Sequence, residues 1–185
     1  LEDGVRLSYT DGQGTLGAGH LTEDVLVRGQ EEPLEPLAEL ELAVAPPHER
    51  DRVRWLVEKA AELEVTRIRW LRTDRGNARP KVLVRAREWA VAALEQSRGA
   101  YLTEVDTTLT EISDLDKRLE TVLADPSGAR PSQSLPLRVM IGPEGGWAPG
   151  EIAVGYPVVS LGRSVLRTET AAVVAAALFR ETRSM

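Results

Sequence analysis

Apolar side chains recur along this chain with two different periods. Val5, Leu7 and Tyr9 alternate with Arg6 and Ser8, the two-residue repeat of a half-buried strand, and "DGQG" at 11–14 then has the composition of a hairpin turn. Residues 16–28 carry the material for one or two further short strands. The run "GQEEPLEPLAE", 29–39, interrupts the pattern with two prolines and four glutamates. It predicts a linker, with a domain boundary between residues 30 and 40.

Beyond it the period changes. "LELAVA" (40–45) reads as a strand ended by the two prolines at 46 and 47. From Asp51 to Glu64, Val53, Leu56, Val57, Ala60 and Ala61 fall at helical spacing and form one apolar stripe. "TRIRWL" (66–71) predicts the next strand and "RTDRGNARP" a polar loop. Residues 81–97 predict a second helix with Val82, Ala86, Trp89, Ala90, Ala93 and Leu94 on one face. Residues 119–134 contain "DPSGARPSQS", a loop rich in breakers. "LRVMI" (137–141) and "YPVVSL" (156–161) predict two buried strands, and a helix runs from Thr168 to the C-terminus. Strands alternating with helices predict an α/β unit with a mainly parallel sheet over residues 40–185.

Composition narrows the chemistry. Cysteine is absent from the 185 residues, which excludes disulfides and thiolate catalysis and favours the cytoplasm. No stretch of about 18 uncharged apolar residues is present, so no membrane span is expected. No signal-peptide pattern opens the sequence. The two histidines, His20 and His48, have no carboxylates near them at ligand spacing, so no metal site is expected. Net charge is −6, unevenly distributed: residues 1–48 carry −8, residues 49–98 carry +5 and residues 99–185 carry −3. The middle third reads either as a patch for a phosphate backbone or as a solvated helix face.

Two glycine-bearing runs follow apolar strands. In "IGPEGGW", Ile141 closes a strand, Gly142, Gly145 and Gly146 permit a tight path, Pro143 stiffens it, and Glu144 supplies a charge. In "LGRSVLRTETA", Leu161 and Gly162 leave a strand, and Leu166, Arg167 and Thr168 lead into a helix. Ligands of open α/β sheets bind at the carboxyl ends of strands, where both runs stand. Neither has the glycine-lysine spacing of a phosphate loop or the glycine spacing of a dinucleotide fingerprint. Taken singly, each reads as a turn. Thr168 is placed to cap the helix with its hydroxyl. Arg167 is either a functional cation or the partner of Glu144 or Glu169.

Taken together, the two runs resemble the signature of the bacterial ribosomal RNA methyltransferases that act on N3 of a uridine in the small subunit, members of the SPOUT superfamily. "RVRWLVEKAAELEV", "RTDRG" and "ALEQSRGAYLTEV" resemble further segments of that family. Glu64 stands where the family usually has glycine, Thr103 where it has proline, and Gly76 where it has serine. The resemblance covers residues 40–185, and residues 1–30 resemble the later part of the family's PUA-like β-domain.

The resemblance implies an α/β SPOUT methyltransferase domain with a deep C-terminal trefoil knot over residues 39–185, preceded by a truncated PUA-like β-domain and linker over residues 1–38. It implies S-adenosyl-L-methionine as cofactor, held by Ile141, Gly142, Pro143, Glu144, Gly145, Gly146, Leu161, Gly162, Leu166 and Thr168. Arg167 would be catalytic, and Arg75 and Arg98 would meet RNA. The implied partner is 16S ribosomal RNA in an assembled small subunit. A homodimer is implied, with Ala172, Val173, Ala176 and Ala177 either at its interface or in the core. A catalytically weak RNA-binding or ribosome-assembly factor on the same fold is the alternative, and another nucleotide-binding α/β enzyme is a third.

Overall fold

The computed structural model describes residues 4–181 except 78, 118, 132–135 and 153. The first sheet is antiparallel, in the order β1 (Arg6–Thr10), β2 (Thr15–Thr22), β3 (Val25–Pro33). Glu23 and Asp24, at φ 49° and 60°, form the two-residue turn that pairs Thr22 with Val25. Left-handed conformation at both positions gives a turn whose twist matches the strands. The expected linker therefore begins later than its composition suggests. Residues 29–33 complete β3, and Pro33 closes it opposite Thr15, at a strand end where a missing N–H is tolerated.

The turn between β1 and β2 is bonded to the rest of the molecule. Gly14 N–H donates to Ala100 C=O at 3.0 Å, and Leu102 N–H donates to Gly12 C=O at 2.8 Å. The Tyr101 hydroxyl lies 2.9 Å from the carbonyl oxygens of both Leu34 and Glu35.

The second sheet is parallel throughout, in the order β6-β5-β4-β8-β7-β9. Its strands are β4 (Glu41–Val44), β5 (Arg67–Arg72), β6 (Glu104–Glu111), β7 (Thr121–Ala129), β8 (Arg138–Ile141) and β9 (Val158–Val159). Helices α1 (Arg50–Glu62), α2 (Pro80–Leu83), α3 (Ala86–Ser97), α4 (Pro149–Ile152) and α5 (Thr168–Glu181) connect or follow them. The helix expected over 81–97 is thus two pieces. The last four residues of the expected C-terminal helix lie outside the described residues. The breaker-rich stretch is strand as far as Ala129: β7 continues through "DPSGA" with a shift of register between Ala124 and Ala129, and residues 132–134 of the expected loop lie outside the described residues.

Alternation along the strands sorts the core. Leu42, Val44, Ile68, Trp70, Val139 and Ile141 face α1, α3 and α5. The stripe expected on α1 is buried at Val53, Leu56, Val57 and Ala60, while Ala61 is half-buried. On α5, Ala172 and Ala176 are fully buried within the chain's own core, so they are removed from any dimer interface. Ala43, Leu71, Met140 and Leu123 turn to the other face and meet Ile112, Leu115 and Trp147.

The amino ends of the same strands carry charge on that second face. Arg138, 1% exposed, donates from Nε to Glu41 at 2.6 Å and from Nη1 to the Asp116 carbonyl at 2.9 Å. Arg69 also meets Glu41, at 3.1 Å, and reaches Asp106 at 3.1 Å, which in turn pairs with Arg67 at 2.7 Å. Burial works against the Glu41 charge, but the bonds from Arg138 and Arg69 outweigh it and hold its carboxyl below the ordinary range.

Glu64 shows why glycine suits its position. It follows the end of α1 at φ 56°, a conformation in which a Cβ crowds the backbone. Glu64→Gly is expected to raise stability by about 1 kcal/mol and the Tm by about 2–4 °C. Scanning calorimetry checks this, and an unchanged or lower Tm would count against the strain argument.

Candidate functional site

Both glycine runs leave the carboxyl ends of strands in the parallel sheet, the first from β8 and the second from β9, with β7 between them. The first folds over Trp147. This indole is buried and donates from Nε1 to the Ala124 carbonyl at 3.0 Å, tying the run to β7. Gly142 is required by that packing, because a Cβ there would lie 2.8 Å from Trp147 Cε2. Gly146 N–H donates to Pro143 C=O at 2.8 Å and closes a turn, with Gly146 itself at φ 69°. Glu151 braces the far side: its two carboxylate oxygens accept from Asp74 N–H at 2.9 Å and Ala148 N–H at 2.7 Å.

The second run returns across the first. Thr168 is buried and its hydroxyl donates to the Gly142 carbonyl at 3.0 Å. It therefore joins the two runs, where the sequence predicts a hydroxyl accepting from a helix amide. The capping position falls to Arg167, whose carbonyl accepts the first helical bond from Ala171 N–H at 2.8 Å.

A cavity of about 430 Å³ opens between the runs. Ile141, Gly142, Pro143, Glu144, Gly146, Leu161, Gly162, Leu166 and Thr168 line it. Gly145 is turned away, and a Cβ there would lie 3.3 Å from Arg75 Cβ. Sequence reasoning missed the wall supplied by β7, from Ala124 to Ser127, because its Asp-Pro-Ser reads as a loop. Ser160, Ser164, Val165 and Ala171 also line the cavity unannounced.

The lining has a distinctive charge. It contains two carboxylates, Asp125 and Glu144, and no arginine, lysine or histidine. The cations stand outside, at the rim. Arg52 bonds Glu144 at 2.5 Å and lies 3.1 Å from Glu49 and 3.7 Å from Glu169. Arg167 shares a shallow hollow with Arg52, Glu144, Val165 and Leu166. It is exposed and forms no ion pair among the described residues. The partners that the sequence offered to Arg167 are thus taken by Arg52. A phosphate-bearing nucleotide would find carboxylates and no cation inside. A flat heteroaromatic group carrying positive charge fits both the apolar walls and the carboxylates.

Arg75 and Arg98 lie elsewhere. Arg75 donates from Nη1 to the carbonyls of Gly145 at 3.2 Å and Trp147 at 3.1 Å, so it holds the glycine run from behind. Arg98 ends α3 at φ 56°, beside the β1–β2 turn, and does not line the cavity. The positive middle third is less free than its count implies. Arg52, Arg54, Lys59, Arg67, Arg69, Arg72 and Arg85 are all in ion pairs with carboxylates. Among the described residues no group of three or more His, Cys, Asp or Glu could hold a metal, and no helix is long and apolar enough to cross a membrane.

Comparison with solved structures places this architecture. A probable rRNA methyltransferase from Porphyromonas gingivalis is 25% identical, with a TM-score of 0.87 over 100% of this chain and 87% of that one. Ribosomal RNA small subunit methyltransferase E from Neisseria gonorrhoeae, solved bound to S-adenosyl methionine, is 23% identical, with a TM-score of 0.84 over 98% of this chain and 84% of that one. An AdoMet-bound rRNA methyltransferase from Sinorhizobium meliloti shares the fold more remotely, at 15% identity and a TM-score of 0.53, over 79% of this chain and 57% of that one. The family model of the RNA methyltransferase domain matches residues 33–180, and the chain belongs to that family.

Proposed function

We propose that this member of the RNA methyltransferase domain family is an S-adenosylmethionine-dependent enzyme that methylates N3 of a uridine in 16S ribosomal RNA. The observation that carries the reading is the separation of charge at the site. Carboxylates lie inside the cavity and arginines at its rim, which suits a cationic donor within and an anionic acceptor without. S-adenosylmethionine supplies a methyl group on a positively charged sulfur, which becomes a neutral thioether when a nucleophile takes the methyl.

The chain's own residues divide the work. Ile141, Leu161 and Leu166 offer apolar walls and backbone groups to the adenine, and Gly146 approaches the ribose and the methionine end. Uridine N3 carries a weakly acidic proton, so the reaction needs an anion held at the moment that proton leaves. Arg167 is always charged, and its two-pronged head matches the uracil carbonyl oxygens as negative charge grows on them. Arg52 fixes Glu144 and thereby the outer edge of the glycine run.

The same reading gives the fold a C-terminal trefoil knot, the front sheet a PUA-like character, and the molecule a dimeric, cytoplasmic life. It makes the assembled small subunit the substrate, with Arg75 and Arg98 near its phosphates. Binding to RNA should then weaken steeply as salt rises.

Calorimetry with S-adenosylmethionine, ATP and NAD tests the cofactor. Only the first is expected to bind, and at about 100 times its Kd it should stabilise the fold by about 2.7 kcal/mol. Gly162 gives a sharper probe, since a Cβ there meets nothing within 4 Å and the backbone is unstrained. Gly162→Leu should fill the ligand's space and weaken binding about tenfold or more, with the unliganded Tm unchanged. Equal binding of ATP, or none of S-adenosylmethionine, would sink the assignment. Transfer of labelled methyl to N3 of uridine in small-subunit RNA tests the reaction itself.

A further inference from the structure

We infer that Asp125 makes the cavity prefer the charged, methyl-bearing cofactor over its neutral, demethylated product. The inference rests on the methyltransferase reading and adds a role for one residue. Asp125 stands on the β7 wall, partly buried. Its Oδ1 accepts from Ser127 N–H at 2.9 Å and from the Ser127 hydroxyl at 2.6 Å. One oxygen is thus pinned, which fixes the carboxylate, while Oδ2 makes no hydrogen bond among the described residues.

The charges around the cavity single it out. Glu144, the other lining carboxylate, is met by Arg52. Asp125 has no ion pair among the described residues, and no cationic side chain lines the cavity with it. Its negative charge therefore acts on whatever occupies the space, screened less than at an open surface.

The reaction changes that occupant's charge by one. When the S–CH₃ bond breaks, its electron pair stays on sulfur, the methyl leaves on the uridine nitrogen, and the positive charge at sulfur disappears. The ammonium and carboxylate of the amino-acid end are the same before and after. A fixed carboxylate near sulfur holds the donor more tightly than the product, so the spent cofactor leaves more readily and inhibits less. A carboxylate at the ammonium would hold both equally. Measuring donor and product side by side therefore separates the two placements of the carboxylate.

Titration calorimetry of S-adenosylmethionine and S-adenosylhomocysteine against the intact protein and Asp125→Asn decides the matter. Asparagine keeps the shape and an oxygen for Ser127. The variant should lose about tenfold in affinity for S-adenosylmethionine, equivalent to about 1.4 kcal/mol, and less than about twofold for the homocysteine product. Its binding of the donor should also depend less on ionic strength. Equal losses for both ligands, or none for either, would overturn the inference and leave the methyltransferase reading standing. If the unaltered protein bound neither ligand, both would fall together.

Discussion

Arg167→Ala is expected to turn over about a hundredfold to a thousandfold more slowly than the unaltered protein, the usual cost of removing one preorganised donor. Its affinity for S-adenosylmethionine should hardly change, because in the proposed mechanism the arginine acts on the anion that forms during transfer, and it does not line the cavity proposed for the donor. Arg167→Lys keeps the charge and loses the two-pronged geometry, so it should fall between the two. The arrangement of ion pairs makes the test clean. Arg52 holds Glu144 and approaches Glu169, so truncating Arg167 breaks no salt bridge among the described residues. The folded protein should melt within about 0.5 kcal/mol of its parent. A large fall in Tm, with activity lost only in proportion to folded protein, would reduce Arg167 to a structural residue. Turnover near the parental rate in Arg167→Ala would remove it from the chemistry.

The largest effect on stability is expected at the opposite end of the strands. Arg138→Met should cost about 3–5 kcal/mol and lower the Tm by about 6–20 °C, because it strips Glu41 of its closest partner while leaving the carboxylate buried. The pH dependence gives a signature that simple mispacking lacks. In the parent, the Glu41 carboxyl sits below its ordinary value of 4.5. Its bonds therefore contribute stability above that pH, and the contribution is lost as pH falls through the lowered value. In the variant, burial acts on a less compensated charge and favours the neutral acid, so protonation relieves it. The gap in stability between parent and variant should narrow as the pH is lowered from neutral towards 4. Denaturant unfolding across that range measures it, and a gap that stays constant would assign the loss to packing.

What could be read from the chain beforehand follows from how local each signal is. The short strands β4 and β8 are apolar apart from Glu41 and Arg138 at their starts, and the α1 stripe repeats at helical spacing, so residues 40–64 and 137–141 were legible. Of the ten positions expected at the cofactor, nine line the cavity, since they cluster in two contiguous runs. Strand β6 was not legible, because "VDTTLT" has threonines where a buried strand shows aliphatics and gains its order only by pairing with β5. The β7 wall was hidden by Asp125, Pro126 and Ser127, breakers by composition that the neighbouring strands hold extended, with a shift of register to absorb them. Gly142 looks like a ligand contact and proves equally to be a seat for Trp147. Nothing local marks that, nor that the Thr168 hydroxyl reaches 26 residues back. The positive sum over residues 49–98 leaves open which cations are unpaired for a related reason: a count of charges contains no distances.

The hydroxyl of Thr168 resting on the Gly142 carbonyl also sets a clock. A ribosome adding about 5–20 residues each second needs roughly one to five seconds to pass from one of these positions to the other. During that interval the nascent chain carries one wall of its pocket and not the other. A ligand of the completed cavity cannot scaffold such an intermediate; it can only reward the finished product. A chain cut short ahead of Thr168 would lack the hydroxyl that holds the two runs together, and with it one wall of the cavity.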